Sequence, residues 1–216
     1  MSSAISDPTN RFSSRVENYV RYRPGYPPEV VGLLRRECGL TPQSEIADIG
    51  FGTGLFTRLP LENGNTVIGA EPNDAMRQEG GRILAAYPNF RSVCGTAEAT
   101  TLAVHSVDFV TAAQAAHWFQ REQTRAEFLR ILRPGGWVVL IWNERITDSS
   151  PFLVAYETVL LTYGTDYQDV RHEKTTDTID AFFAPSHFEQ RVFSLRQEFD
   201  YIGLEGRLFS SSLYAG

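Results

Sequence analysis

Residues 46–57 read "IADIGFGTGLFT": a short apolar run carrying one acid, Asp48, then glycines at 50, 52 and 54. Glycine reaches positive φ without strain and lets another group come close to the main chain. An apolar strand that runs into such a loop and then into a helical stretch is the place where an open parallel sheet receives a ligand, at its carboxyl edge. Outward from this point the chain alternates. "EIADIG", "TVIGAE", "FRSVCGT", "VDFVTAA" and "GWVVLIW" have the look of strands, and intervening segments such as "NDAMRQEGGRILAAYP" and "REQTRAEFLRILRPGG" that of helices. Alternation in units of roughly 30 residues calls for βαβ crossovers, so the predicted fold class is α/β: a doubly wound, mostly parallel sheet with helices on both faces.

Punctuation refines this. Pro28 can open a first helix that Gly39 closes. Asn73 suits the N-cap of the helix after the second strand, although Gly80 and Gly81 within it should each cost about 1 kcal/mol relative to alanine. Pro60 should cut short the helix behind the glycine loop. Past Arg145, "PFLVAYETVLLTYG" and "TTDTIDAFFAP" predict helices outside the alternation, and "FEQRVFSLRQEF" a late strand. The expected organisation is a flexible N-terminus over 1–10 and a single domain over 11–216. Within that domain lie a cap and first helix (11–40), a cofactor-binding core (41–145), a helical lid insertion (146–187) and a C-terminal strand and end (188–216).

The chain has 216 residues, 42% hydrophobic, which suits one compact core. A net charge of −6 with no basic stripe argues against nucleic acid as a partner. Cys38 and Cys94 form no paired framework and are expected to be buried in a reducing compartment. With no leader-like start and no stretch near the roughly 18 apolar residues of a spanning helix, a cytoplasmic protein away from membranes is expected.

Three ligand classes could use the glycine loop. A phosphate-cradling loop needs a lysine directly after its glycines, and the single lysine of the chain is Lys174. A dinucleotide fingerprint counted from Gly50 needs glycine at position 55, where Leu55 stands; an NAD(P)-dependent dehydrogenase is thereby disfavoured rather than removed. Glu71 ends the second strand 21 residues after Gly50, where a carboxylate can accept both ribose hydroxyl protons. That device serves any adenosine ligand.

The remaining pattern, an acid followed by glycine at every second position ("DIGFGTG"), is similar to the first motif of class I S-adenosylmethionine-dependent methyltransferases. The series "ADIGFGTG", "IGAEPNDAMR", "GTAEATTL", "SVDFVTAAQAAHWF" and "LRPGGWVVLIW" has that family's order and spacing. "YVRYRPGYP" and "AQAAHWF" resemble its methyltransferase type 11 group, similar to trans-aconitate methyltransferase-like small-molecule enzymes. The resemblance, from about Phe12 onward, implies a Rossmann-like sheet, S-adenosyl-L-methionine as cofactor, no metal, and a monomer or homodimer acting on a small molecule. It implies a cofactor set of Asp48, Gly50, Phe51, Gly52, Gly54, Glu71, Pro72, Thr96, Ala97, Glu98 and Gln114, with Asp48 reaching the ammonium and Thr96, Ala97 and Glu98 framing the adenine. Members of the group continue past "GLEGRLFSSSLYAG" into a further helix and an antiparallel strand, so the last strand of the sheet is expected to be missing.

Methyl transfer from a sulfonium needs chiefly alignment. The acceptor pocket is expected over the glycine loop. Candidate catalytic residues are His117, a base by its ordinary pKa of about 6.5, Arg23, a clamp for a substrate carboxylate, and Tyr22, part of a lid with Tyr19 and Tyr26. Each has a plainer reading in packing or surface pairing. The competing function is a non-catalytic relative that keeps the cofactor loop without a complete acceptor pocket.

Overall fold

A computed structural model describes residues 22–164, 179–184 and 186–209. In chain order the elements are α1 (Glu29–Glu37), β1 (Glu45–Ile49), α2 (Arg58–Glu62), β2 (Thr66–Ala70), α3 (Asp74–Ile83), β3 (Phe90–Val93), β4 (Val107–Ala113), a 3-10 turn (Ala116–Trp118), α4 (Arg121–Ile131), β5 (Leu132–Ile141), α5 (Pro151–Tyr163) and α6 (Tyr201–Phe209). Residues 179–183 are also helical. The five strands form one sheet in the order β3-β2-β1-β4-β5, and every pairing is parallel.

Parallel strands linked by crossovers are covered on both faces, and the burial follows. Ala47, Ile49, Ile68, Ala70 and Val110 pack on one face with Phe128 and Ile131 of α4. Ile46, Val67 and Phe109 pack on the other with Leu34, Leu61 and Leu84. Strand order runs outward from β1 through β2 and β3 on one side and from β4 to β5 on the other. The direction of winding therefore reverses between β1 and β4, and the crevice there, above the carboxyl ends, is where open α/β sheets bind ligands.

Local signals operate as their chemistry predicts. The Asn73 side chain accepts from Met76 N–H at 3.0 Å and caps α3. Ser150 does the same for α5 with Leu153 N–H at 3.2 Å, and Pro151 opens that helix. Gly39 ends α1 at φ +71°. Pro60 sits in the first turn of α2, where a missing N–H leaves no intrahelical bond unmade, and the helix is five residues long.

Three expectations need correction. Residues 188–199 form no strand: 187–200 carry no regular structure, with Val192 86% exposed. Alternating apolar residues make a strand only where a neighbour pairs their main chain, and no described strand does so here. Cys94 is exposed and Cys38 half-buried, because Cys94 falls just past β3, an edge strand with exposed residues. β5 starts earlier than "GWVVLIW": Leu132 pairs with Val107 and Trp137 with Phe109, so "RPGG" forms a bulge. Arg133 in that bulge pairs with Glu45 and with Asp108, the latter at 2.9 Å, binding β1, β4 and β5 together at the end of the sheet away from the crevice.

Among the described residues no helix is long and apolar enough to cross a membrane. Tyr19, and residues 175–178 and 185 of the segment "TTDTIDAFFAP", lie outside the described residues. Within that segment Phe182 is buried against Phe128, ring centroids 5.9 Å apart, as part of the core.

Candidate functional site

The glycine loop departs from β1 at the winding reversal. Gly50, Gly52 and Gly54 have φ of +68°, +57° and +86°, conformations that side-chain-bearing residues rarely take. What comes close to them is protein. A Cβ on Gly50 would stand 2.7 Å from Ala115 Cβ, and one on Gly54 2.6 Å from Leu84 Cδ1. The bare main chain thus admits the loop after β4 and the end of α3, and this packing turns the rest of the loop toward the crevice. Phe51 points the other way. Its ring fills the space left by Gly69 and Gly80, where a Cβ would lie 2.5 Å and 2.6 Å from it. Gly80, by propensity only a weakness in α3, is what lets the helix approach Phe51 and the Gly52 carbonyl.

A hollow of about 260 Å³ opens beside the loop, lined by Tyr26, Asp48, Gly50, Phe51, Thr53, Leu55, Phe56 and Ala113. Among the described residues no basic one lines it. Asp48 is 1% exposed and accepts hydrogen bonds from Thr57 Oγ1 at 2.6 Å and from Thr111 Oγ1, its register partner on β4, at 2.9 Å. Burial pushes its carboxyl up to about 6; the two hydroxyl donors work against this, and the Glu71 carboxylate adds to it. Thr53 is 2% exposed, and its hydroxyl has no hydrogen-bond partner among the described residues. A buried hydroxyl left in this state costs about 1–3 kcal/mol, so its place beside a hollow marks it as a group awaiting a ligand.

Glu71 is buried rather than a solvated strand end. One carboxylate oxygen accepts Gly52 N–H at 3.0 Å and the other accepts Asn73 N–H at 2.9 Å. It therefore joins the glycine loop to the start of α3. Burial raises its carboxyl above the ordinary value, against the lowering effect of those two N–H donors. Each oxygen keeps a lone pair for a ribose hydroxyl. Pro72, half-buried, lies between Glu71 and the capping Asn73.

The third and fourth loops complete the edge. Thr96 and Ala99 exchange main-chain bonds at 3.2 and 3.3 Å, with Ala97 buried between them. The Glu98 carboxylate accepts from Gln120 N–H at 2.8 Å at the start of α4, so its side chain serves that helix. Gln114 sits at φ +56°; its N–H reaches Ile141 O at 2.8 Å, and its side-chain amide donates to Asn143 O at 2.9 Å. His117 is exposed in the 3-10 turn, its ring 4.8 Å from that of Trp118. Tyr26 faces the hollow, its ring edge-on to Phe56 at 5.5 Å. Tyr22 lies instead against Gly206 of α6, where a Cβ would stand 2.2 Å from its ring. Arg23 is half-buried in the same segment.

Thr53, Thr57, Thr111 and Asn143 were not singled out by sequence. Thr53 carried a signal, as the one hydroxyl among the three glycines. Thr57 and Thr111 meet Asp48 only through the loop's return and the register of β1 with β4.

Residues 47–140 match the family model described as "Methyltransferase domain". An uncharacterized methyltransferase of Mycobacterium tuberculosis is 37% identical over 145 residues, 67% of this chain and 57% of its own length. An uncharacterized methyltransferase-like protein of Schizosaccharomyces pombe is 32% identical over 160 residues, 72% of this chain and 59% of its own. The chain thus spans less than two thirds of these relatives. Among solved structures, a Methanococcus maripaludis protein provisionally described as an S-adenosyl-L-methionine-dependent methyltransferase superposes with a TM-score of 0.58, covering 84% of this chain and 87% of that one. At 14% identity that likeness concerns the fold alone. Residues 47–140 are a methyltransferase-family domain, and the chain is built on the fold of class I S-adenosylmethionine-dependent methyltransferases.

Proposed function

We propose that the chain binds S-adenosyl-L-methionine at the carboxyl edge of β1 and β4 and transfers its methyl group to an oxygen or nitrogen of a small molecule, an organic acid in the first instance. The observation that carries this reading is the charge of the site. Two buried carboxylates, Asp48 and Glu71, and a Thr53 hydroxyl without a partner among the described residues border a hollow with no basic lining. Such a site favours a ligand with a cationic tail and disfavours the pyrophosphate of a dinucleotide.

When bound, the cofactor supplies a methyl group on a sulfonium that is already a good leaving group. The chain's residues bind and orient. Asp48 faces the cofactor's ammonium, Thr53 Oγ1 gains a partner, and Glu71 accepts the ribose hydroxyls while holding Gly52 in place. Tyr26 and Phe56 keep water from one wall, which strengthens the electrostatic contacts inside. On the acceptor side, Arg23 binds a carboxylate, Tyr22 belongs to the cover, and His117, open to solvent, takes the proton of a hydroxyl or amine acceptor. A carboxylate acceptor is already ionised and needs no base. The cytoplasm suits an exposed thiol at Cys94.

Calorimetric titration with S-adenosylhomocysteine and, separately, NADH tests the cofactor. Heat with the first and none with the second is expected, and the reverse overturns the reading. A panel of organic acids, phenols and amines with methyl-labelled cofactor then tests the acceptor. Label in acids is expected; binding without label in any acceptor favours the non-catalytic relative.

A further inference from the structure

Residues 22–28, "YRPGYPP", cross the mouth of the hollow as a strap. Pro24, Pro27 and Pro28 fix φ and carry no N–H, so the strap is stiff and its carbonyls are the handles by which the main chain can be held. Three contacts secure it. Tyr22 lies in the notch at Gly206, and Tyr26 meets Phe56 edge-on at 5.5 Å. Between them the Asn143 side-chain amide donates to Gly25 O at 3.0 Å. Asn143 is itself fixed: its carbonyl accepts Gln114 Nε2 at 2.9 Å, and Gln114 holds φ +56° to make that bond. A side-chain-bearing residue in that region carries backbone strain that the surroundings must sustain, and such outliers gather where a site needs a fixed geometry.

The strap is therefore tied to the ends of β4 and β5 by one chain of bonds, Gln114 to Asn143 to Gly25, and Tyr26, the next residue, is a wall of the hollow. We propose that Asn143 is a positioning residue that latches this strap, so that release of the cofactor waits on breaking the Asn143–Gly25 hydrogen bond. The inference rests on the cofactor reading above and extends it to a residue that touches neither cofactor nor acceptor. A stiff strap swings away as one body once its central tie is lost, and loss of one hydrogen bond of ordinary strength changes an opening equilibrium about 3- to 10-fold.

The full chain tests it with Asn143→Ala and the isosteric Asn143→Asp, which keeps the shape but presents no donor to the Gly25 carbonyl. Dissociation of S-adenosylhomocysteine is followed by rapid-mixing displacement, and amide exchange at Gly25 and Tyr26 by NMR without ligand. Both variants are expected to release the ligand about 3- to 10-fold faster, with the association rate and melting temperature near those of the parent and faster exchange at Tyr26. Normal binding by the parent with no faster release from either variant overturns the latch alone. A parent that binds no S-adenosylhomocysteine overturns the cofactor reading and the latch with it. Exchange that rises throughout the core, in step with a lower melting temperature, overturns the positioning role in favour of a structural one.

Discussion

Thr53 and Asp48 are kept in states that a bare fold would avoid. The Thr53 hydroxyl is buried without a described partner, so Thr53→Val, nearly the same in shape, should leave the ligand-free protein as stable or up to about 1 kcal/mol more stable. The same change should weaken S-adenosylhomocysteine binding about 5- to 10-fold by calorimetry; equal affinity would show that the hydroxyl faces no ligand. Asp48 titrates near 6, above its value in the unfolded chain, so the stability it contributes is full below about 3.8 and is lost as pH rises through about 6. A cationic ligand meets the ionised form and relieves that loss. Affinity should accordingly rise about tenfold between pH 5 and pH 7 and then level off, and a flat profile would separate Asp48 from the ligand's charge. Asp48 and Glu71 were legible as site residues because acid, glycines and strand end are contiguous in sequence. Their actual partners, Thr57 and Thr111 for one and the Gly52 and Asn73 amides for the other, come from loop return and strand register, which spacing does not carry.

At the level of elements, the two glycines of α3 part company. A Cβ at Gly81 meets nothing within 4 Å, whereas one at Gly80 would lie 2.6 Å from Phe51 and 2.7 Å from the Gly52 carbonyl. Gly81→Ala should therefore stabilise by about 0.5–1 kcal/mol through helix propensity. Gly80→Ala should destabilise by about 1–3 kcal/mol and loosen the cofactor loop, since backbone cannot yield as a flexible side chain can. Urea unfolding of both variants checks this, and like effects at the two positions would contradict the packing described. The helices and parallel strands were readable because capping residues and apolar runs act locally: Asn73, Ser150 and Pro151 stand where their chemistry requires. The segment 188–199 departs from its strand-like pattern because alternation supplies only half of a strand; the other half is a neighbour's main chain, which sequence pattern does not locate.

Over the whole molecule, acid stability should follow a different group from ligand binding. Glu127, buried on α4, is held at about 2 by its Arg130 partner, with burial opposing and the Thr100 hydroxyl and N–H helping. Its stabilising contribution is present above about 4.5 and is lost as pH falls through about 2. Glu127→Gln should thus lower the melting temperature at pH 7 and converge on the parent near pH 2, and a constant difference across that range would contradict the ion-pair account. The doubly wound order was legible from alternation alone, and with it the position of the crevice, since winding reverses where the glycine loop leaves β1. The acceptor side was not, because its candidates, Arg23, Tyr22 and His117, come from separate loops whose mutual placement depends on the finished fold.

The most direct test of the central claim is a crystal structure grown with S-adenosylhomocysteine. The account predicts the ligand's amino-acid end beside Asp48 and Thr53, its ribose hydroxyls on Glu71, and Tyr26 closed against it. Density for the ligand elsewhere on the chain, or a full-occupancy complex in which Asp48 and Glu71 touch only protein, would contradict it.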